Sequence, residues 1–207
     1  MTDLAETELS DNVEQTRAAV YGLLARLLYA APDQALLEAV ANADDIIAEP
    51  SQAAFAKAWQ ALSLGSQVAD AEALEDEYAR LFLGLGKSEV VPYMSWHMTG
   101  FLMEEPLARL RDALAGLGLA RVQAASEPED HMAAILEVMR FMIVGDEDTD
   151  PATLTRQAAF FKDFIQPWYI ACAAQIETAQ AANYYRLVAR IMRAFLDMEA
   201  QAFELEL

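Results

Sequence analysis

Cysteine is nearly absent from this chain, whose 207 residues include one, Cys172. A single cysteine excludes an internal disulfide framework and a cysteine-rich zinc or iron–sulfur site, and it is typical of a reducing compartment. Glycine and proline are also scarce, at 8 and 7 residues, which excludes fibrous and low-complexity classes. Hydrophobic residues make up 55% of the sequence, so an apolar core can stabilise the fold without disulfides or metal.

Positive charge is the next shortage. Only 14 Lys and Arg stand against 33 Asp and Glu, which gives a formal net charge of −19. A field of that sign repels phosphate backbones and anionic membrane surfaces, so we expect no nucleic-acid binding and a preference for basic ligands. The alternative interpretation is that the charge only keeps an apolar, alanine-rich protein soluble.

Long uncharged runs are missing as well. The longest, Val90–Met103, is interrupted by a proline and is shorter than the roughly 18 apolar residues that a membrane-spanning helix needs. The first 15 residues are acidic and the first positive residue is Arg17, whereas a secretory signal begins with a basic region. We therefore expect a cytoplasmic protein with no integral membrane insertion.

Apolar residues recur at helical spacing along most of the chain. One stripe runs from Val20 to Ala31 and another from Tyr184 to Met198, and no segment alternates with the period of a strand. The pattern predicts an all-α fold, a single compact helical domain over residues 1–207. Its helices, about nine, are predicted at 11–30, 33–48, 51–64, 70–83, 96–116, 127–144, 151–165, 167–180 and 182–204.

Capping signals mark the predicted helix starts. The side chains of Ser, Thr, Asp and Asn accept hydrogen bonds from the first backbone N–H groups of a helix, and proline is favoured at its first position. The signals are the single caps Asp33, Ser51 and Asp70, the pair Asp150-Pro151, and the capping-box pairs Asp11 with Glu14 and Ser126 with Glu129.

A loop of about a dozen residues, Gly84–Ser95, follows the fourth predicted helix. Loops of this length inside compact domains are often functional, and this one is a candidate hinge. Large aromatic side chains flank it, Tyr78 and Phe82 before it and Tyr93 and Trp96 after it. At this spacing such residues either pack in the core or line the rim of a groove, and the sequence leaves both open.

The densest polar cluster is Ser126-Glu127-Pro128-Glu129-Asp130-His131. It has every feature of a helix start, because serine can cap, proline is tolerated in the first turn, and acids favour the positive end of the helix dipole. On a helix Glu127 and His131 would share a face with the apolar residues that follow. Two interpretations stay open for this pair: buried packing, or contact with a polar ligand.

Motifs of catalysis and metal binding are missing from the sequence. The two histidines, His97 and His131, are preceded three positions earlier by methionine and proline, so no Glu-x-x-His di-iron motif occurs. Nor is there an H-E-x-x-H, a G-x-S-x-G or a phosphate-binding glycine loop. We predict no catalytic residue, no metal and no cofactor. The rival enzymatic hypothesis is a small hydrolase that uses Glu127 or Asp130 with His131.

Four motifs occur together in a characteristic order: Tyr78-Ala79-Arg80-Leu81-Phe82-Leu83-Gly84, Pro92-Tyr93-Met94-Ser95, Glu127-Pro128-Glu129-Asp130-His131 and Pro167-Trp168. In order and spacing they resemble the TorD/DmsD/NarJ family of molybdoenzyme-specific (redox enzyme maturation) chaperones. The stretch Tyr21-Gly22-Leu23-Leu24 also looks like the start of that family. The most specific of these motifs is Glu127–His131, which precedes an apolar helix.

The resemblance implies a non-enzymatic chaperone. Members bind the twin-arginine signal peptide and the apo catalytic subunit of a molybdopterin oxidoreductase, and they delay its export until the cofactor is inserted. The identity of the cargo, nucleotide binding, and the choice between a monomer and a helix-swapped homodimer stay open. The alternative is a helical protein-interaction adaptor of unrelated function. The predicted signal-peptide and cargo-binding residues are Tyr78, Leu81, Phe82, Pro92, Tyr93, Ser95, Trp96, Glu127, Pro128, Asp130 and His131.

Overall fold

The computed structural model describes residues 2–46, 49–84, 88–120 and 127–205, with side chains from residue 13 to residue 204 of those ranges. Within them the regular elements are helical, which confirms the all-α prediction. A 3-10 turn, Pro50–Gln52, precedes the third helix, and a π-helical segment, Ala79–Leu83, continues the fourth. The ten α-helices are α1 Thr2–Tyr29, α2 Gln34–Ala41, α3 Ala53–Gln67, α4 Ala71–Tyr78, α5 Met94–Thr99, α6 Glu105–Gly116, α7 Met132–Val144, α8 Leu154–Phe164, α9 Tyr169–Thr178 and α10 Tyr184–Leu205.

A single cluster of buried apolar side chains draws residues from all ten helices. The predicted stripe of α1 lies in it, with Leu24, Leu27 and Leu28 fully buried. Helix α1 packs most extensively along α7, and α10 packs against α3 and α9. Burial of a leucine-sized side chain contributes about 1.5–3 kcal/mol, so this apolar stripe is a major source of stability. No described helix is long and apolar enough to cross a membrane.

An ion pair in the interior ties α1 to α10. The Arg17 guanidinium donates to both carboxylate oxygens of Glu199, at 2.9 and 2.7 Å, and the Tyr21 hydroxyl donates to Glu199 at 2.9 Å. Glu199 is buried, and a buried carboxylate is tolerated when paired and hydrogen-bonded in this way.

Two of the single caps are confirmed. The carboxylate of Asp33 accepts from the Leu36 N–H at the start of α2, and that of Asp70 accepts from the Ala73 N–H at the start of α4. Helix α2 ends at Ala41, well before the predicted boundary at 48, because the Asn42 side chain donates to a carbonyl of its last turn and caps it.

Other predicted starts are wrong. Ser51 lies inside the 3-10 turn, whose capping box is formed by Glu49 and Gln52 instead. Helix α8 begins at Leu154, after the Asp150-Pro151 pair, because the Thr153 side chain caps it. Asp11 lies within α1, which begins at Thr2. Ser126, the first half of the remaining capping box, lies outside the described residues.

The predicted helix 96–116 is two helices, which explains the tenth. Helix α5 ends at Thr99 and is capped by Gly100, whose φ of 84° is left-handed and unfavourable for other residues. Met103 also has a left-handed φ, of 60°, and α6 begins two residues later with proline in its first turn. The long loop after α4 is present, but residues 85–87 of the candidate hinge lie outside the described residues.

Candidate functional site

The second and third sequence motifs meet in a short antiparallel pairing. The Met94 N–H donates to the Asp130 carbonyl at 2.9 Å, and the Met132 N–H donates to the Pro92 carbonyl at 2.8 Å. Between them Tyr93 and His131 form an isolated β-bridge. The structure thus brings together the predicted residues that lie on either side of α6.

The buried side chain of Asp130 links the two motifs. Its side chain is 1% exposed, and its Oδ2 accepts from the Ser95 N–H at 3.0 Å and from the Ser95 hydroxyl at 2.5 Å. The carboxylate therefore caps α5 from a distant part of the chain. The prediction that 127–131 opens a helix is wrong, because Asp130 is held in the pairing with residues 92–95 and α7 begins only at Met132.

His131 is the N-cap of α7. Its Nδ1 accepts from the Ala133 N–H at 3.1 Å, and the Tyr93 ring packs edge-on against the imidazole with centroids 5.0 Å apart. Burial lowers the pKa of His131 to about 4, although the carboxylates of Glu127 and Asp130 act in the opposite direction. A neutral imidazole with so low a pKa is a poor general base at neutral pH, which argues against the hydrolase hypothesis.

Glu127 has a different partner from the one that a helix would give it. The Tyr93 hydroxyl donates to its carboxylate, and burial followed by this contact raises the pKa of Tyr93 well above its ordinary value. Burial and the Glu127 charge also raise the pKa of Tyr78 to about 12. The prediction that Glu127 and His131 share one helical face is therefore wrong, because Glu127 precedes the helix.

A groove with a volume of about 620 Å³ opens beside this pairing. We call it the α1–α7 groove. Small side chains on the facing helices leave the space, and larger apolar ones and charged rims surround it. Its lining residues are Gly22, Ala25, Arg26, Tyr29, Leu114, Leu119, Ala120, Glu127, Pro128, Glu129, His131, Ala133, Ala134, Glu137, Val138, Arg140 and Phe141.

The groove is bordered by carboxylates that already contact arginines of the same chain. Both oxygens of Glu129 accept from Arg111, at 3.1 and 2.9 Å, in the bidentate geometry that guanidinium favours. Glu137 accepts from Arg140 at 2.8 and 2.6 Å. A Cβ at Gly22 would lie 2.9 Å from the Arg140 side chain. The glycine of α1 therefore leaves space for Arg140, which belongs to α7.

The other predicted residues lie behind or beside the groove. Tyr78 and Leu81 are buried, and Phe82 packs on Tyr78 and Tyr185 with centroids 5.0 and 5.2 Å away. The Tyr78 hydroxyl donates at 2.6 Å to the carbonyl of Tyr29, a groove residue. The aromatics before the loop therefore pack in the core and support the groove wall. Their part in cargo binding stays a prediction.

Trp96 lies apart from the core aromatics. It is 38% exposed on α5. Trp168 of the fourth motif is buried, donates to the Phe164 carbonyl at 2.7 Å, and packs on the imidazole of His97. It is thus a core residue, in line with its position after a proline.

Sequence reasoning missed the groove residues contributed by α1, α6 and α7. Arg26, Leu114 and Arg140 lie on ordinary amphipathic helices, and nothing in their local pattern marks them. The sequence signal that could have indicated this surface was Gly22, in the Tyr21-Gly22 stretch. Glu77 was also missed: its carboxylate accepts from three N–H groups at the start of α10 and so fixes that helix from α4.

Metal binding finds no support in the described ranges, where no three His, Cys, Asp or Glu side chains come together as a metal-ion site. The Cys172 thiol is buried, and burial raises its pKa to about 12, so it is not an activated nucleophile.

The sequence is similar to those of known proteins. A family model described as nitrate reductase delta subunit matches residues 48–174. The chaperone protein TorD of Photobacterium profundum is 27% identical over 134 residues, which cover 61% of this chain and 62% of that protein. The chaperone protein TorD of Ferrimonas balearica is 25% identical over 96% of both chains.

A solved structure has the same fold. It is described as a redox enzyme maturation protein from Archaeoglobus fulgidus, and it superposes with a TM-score of 0.57 at 24% identity, over 87% of this chain and 93% of that one. At this identity the likeness bears on the arrangement of helices alone.

Proposed function

This chain belongs to the TorD/DmsD/NarJ family, whose nitrate reductase delta subunit model it matches, and on that premise we propose that it is a cytoplasmic chaperone of a molybdopterin oxidoreductase. It would bind the twin-arginine signal peptide and the apo catalytic subunit, and delay export until the cofactor is inserted. Its relatives are named as chaperones, and we assign no catalytic residue to this chain.

The observation that carries the proposal is the α1–α7 groove, an apolar channel bordered by carboxylates. A twin-arginine leader combines two guanidinium groups with an apolar stretch, and this groove offers a matching pair of surfaces. Glu127 and Glu129 border it on the side of the paired motifs. The net charge of −19 favours the approach of such a basic peptide.

The carboxylates and the apolar surface of the groove contribute differently to binding. Exposed arginine–carboxylate pairs contribute only about 0–1 kcal/mol each, so the carboxylates give selectivity more than affinity. Apolar contact gains about 25 cal/mol per Å² before the cost of ordering the peptide. We therefore expect micromolar affinity that comes mainly from the apolar stretch.

A peptide with two adjacent arginines and an apolar tail should bind more tightly than the same peptide with two lysines. The expected difference is roughly three- to tenfold, because lysine keeps the charge but lacks the planar fork that binds a carboxylate through two hydrogen bonds. Isothermal titration calorimetry with both peptides measures it. Equal affinities would contradict the assigned role of the carboxylates and favour the adaptor alternative.

Arg111 should compete with the arginine of a bound peptide, since it already occupies both oxygens of Glu129. We expect Arg111→Ala to strengthen binding of the diarginine peptide by roughly two- to fivefold, the range of an exposed ion pair. Arg109→Ala is the matched control, because Arg109 lies on the same helix, has similar exposure and pairs with Glu105, which does not line the groove.

The comparison between the two variants isolates the local contact. Each removes one positive charge from α6, so any general electrostatic gain is common to both. An equal increase in affinity for both variants would mean that the client does not use Glu129.

A further inference from the structure

The α1–α7 groove has two different ends, because the helices that form its walls run in opposite directions. A Cβ at Gly22 would lie 2.9 Å from the side chain of Arg140, which lies late in α7. At the end of α1, the Tyr29 carbonyl accepts from the Tyr78 hydroxyl at 2.6 Å. Burial raises the pKa of Tyr78 and the negative charge of Glu127 adds to the rise, so Glu127 lies near that hydroxyl. The end of α1 is therefore close to the start of α7.

The wall formed by α7 is long enough for a short peptide segment. Ala133 and Phe141 both line the groove, and about 12 Å of helix axis separates them. Between them Ala134 and Val138 also face the groove. An apolar helical segment of about eight residues has the same length, so it can lie along this wall from one end to the other.

The charges at the far end, beside Gly22, compensate each other. Glu137 and Arg140 both line the groove there, and the Arg140 guanidinium donates to Glu137 at 2.8 and 2.6 Å. The apolar side chains of Val138 and Phe141 lie on the same helix beside this pair. A client that reaches this end meets apolar surface and an ion pair without net charge, which suits an uncharged segment.

The end at the paired motifs keeps a negative charge. Other charged side chains here have partners of opposite charge, in the pairs Arg26 with Asp33 at 3.7 Å and Glu129 with Arg111 at 2.9 Å. Glu127 differs from them, because the group that donates to its carboxylate is the neutral hydroxyl of Tyr93. Among the described groove residues, Glu127 is thus the carboxylate that a client cation can pair with at no cost to an existing ion pair.

We propose that the client lies in the groove in one direction, with its arginine pair at Glu127 and its apolar stretch extending along α7 towards Phe141. The inference rests on the proposed function and adds which end of the groove each half of the client occupies. The reverse placement would bring an arginine to Glu137, where it would have to displace Arg140. It would also leave the charge of Glu127 without a cation. The direction therefore selects a client with basic residues before its apolar stretch and none along it.

Photo-crosslinking tests the direction. Two peptides share a diarginine and an apolar tail of about eight residues. One carries benzoylphenylalanine beside the arginines, and the other carries it at the end of the tail. We expect the first to label residues around Glu127 and the second to label residues around Gly22 and Phe141, as located by tandem mass spectrometry. Exchanged or identical labelling patterns would overturn the inference and leave the proposed function intact.

Glu127→Gln tests the near end, because glutamine keeps an oxygen for the Tyr93 hydroxyl but loses the charge. We expect roughly three- to tenfold weaker binding of the diarginine peptide and no comparable loss for a diglutamine peptide with the same tail. The control is Asp112→Asn, which removes an exposed carboxylate of α6 that does not line the groove. An equal loss in both variants would overturn the placement at Glu127. Failure of the wild-type protein to bind either peptide would instead contradict the proposed function.

Gly22→Ala tests the far end. The added methyl group must move the Arg140 side chain, and the open space beside it is the groove. Alanine is the better helix former, so α1 itself is not weakened. We expect roughly threefold weaker binding of the peptide with the full tail, little change for a tail of half the length, and recovery when Arg140→Ala is added. Equal weakening for both tail lengths would contradict a tail that reaches this end last.

Discussion

Asp130→Ala is expected to lower the free energy of unfolding by about 3 kcal/mol. The substitution leaves the Ser95 N–H and hydroxyl without their acceptor in the interior, and hydrogen bonds to a charged group contribute about 1.5–3 kcal/mol each. Asp130 is 1% exposed and both contacts are at 3.0 Å or less. Urea unfolding followed by circular dichroism measures the loss.

The neighbouring carboxylate provides the control. Glu129→Ala removes an acid whose side chain is 14% exposed and which accepts from the exposed Arg111, so we expect a smaller loss, of about 1 kcal/mol. In a double-mutant cycle, Ser95→Ala should make the Asp130 substitution less costly, because the hydroxyl is then absent and only the backbone N–H of residue 95 loses its acceptor. An Asp130→Ala protein that unfolds like wild type but loses the diarginine peptide would instead identify Asp130 as a direct contact.

Stability should fall as the pH drops from about 6.5 to 4 because of His131. The folded-state pKa of His131 is about 4, lowered by burial, whereas an unfolded histidine titrates near 6.5. In that window the unfolded state binds more protons, so acid favours unfolding. The full difference corresponds to roughly 3 kcal/mol, at about 1.4 kcal/mol per pKa unit.

His131→Asn isolates this contribution from the many carboxylates that titrate in the same range. Asparagine can cap a helix but carries no titratable group. The stability difference between wild type and variant should therefore shrink or reverse between pH 7 and pH 4.5. A matching variant at His97, the only other histidine, should show a smaller slope because His97 is less buried than His131. A pH-independent difference for His131→Asn would contradict the buried neutral imidazole.

The parts of the fold that follow local rules were predictable from sequence. The apolar stripes of α1 and α10 have the helical period, and Asp33 and Asp70 act within their own first turns. The start of α7 was not predictable, because Asp130 is bonded to Ser95, 35 positions away. Local signals at 127–131 describe a good helix start, and a tertiary contact overrides them.

The candidate site was likewise predictable only in part. The motifs identify the segments that meet, since Tyr93, Ser95 and Asp130 do lie together. They do not reveal the groove, because its walls come from α1, α6 and α7, and neither Leu114 nor Arg140 differs locally from any other helical residue.

The pairing of residues 92–95 with 130–132 has a consequence for how the protein folds. Closing a segment of 35 residues costs roughly 3 kcal/mol of chain entropy, which offsets much of the stabilisation that the hydrogen bonds of the pairing contribute. The pairing therefore becomes more stable once α7 has docked on α1, so we expect the groove to form late in folding. A partly folded chain would then lack the groove, and this protein would engage a client only once its own folding is nearly complete.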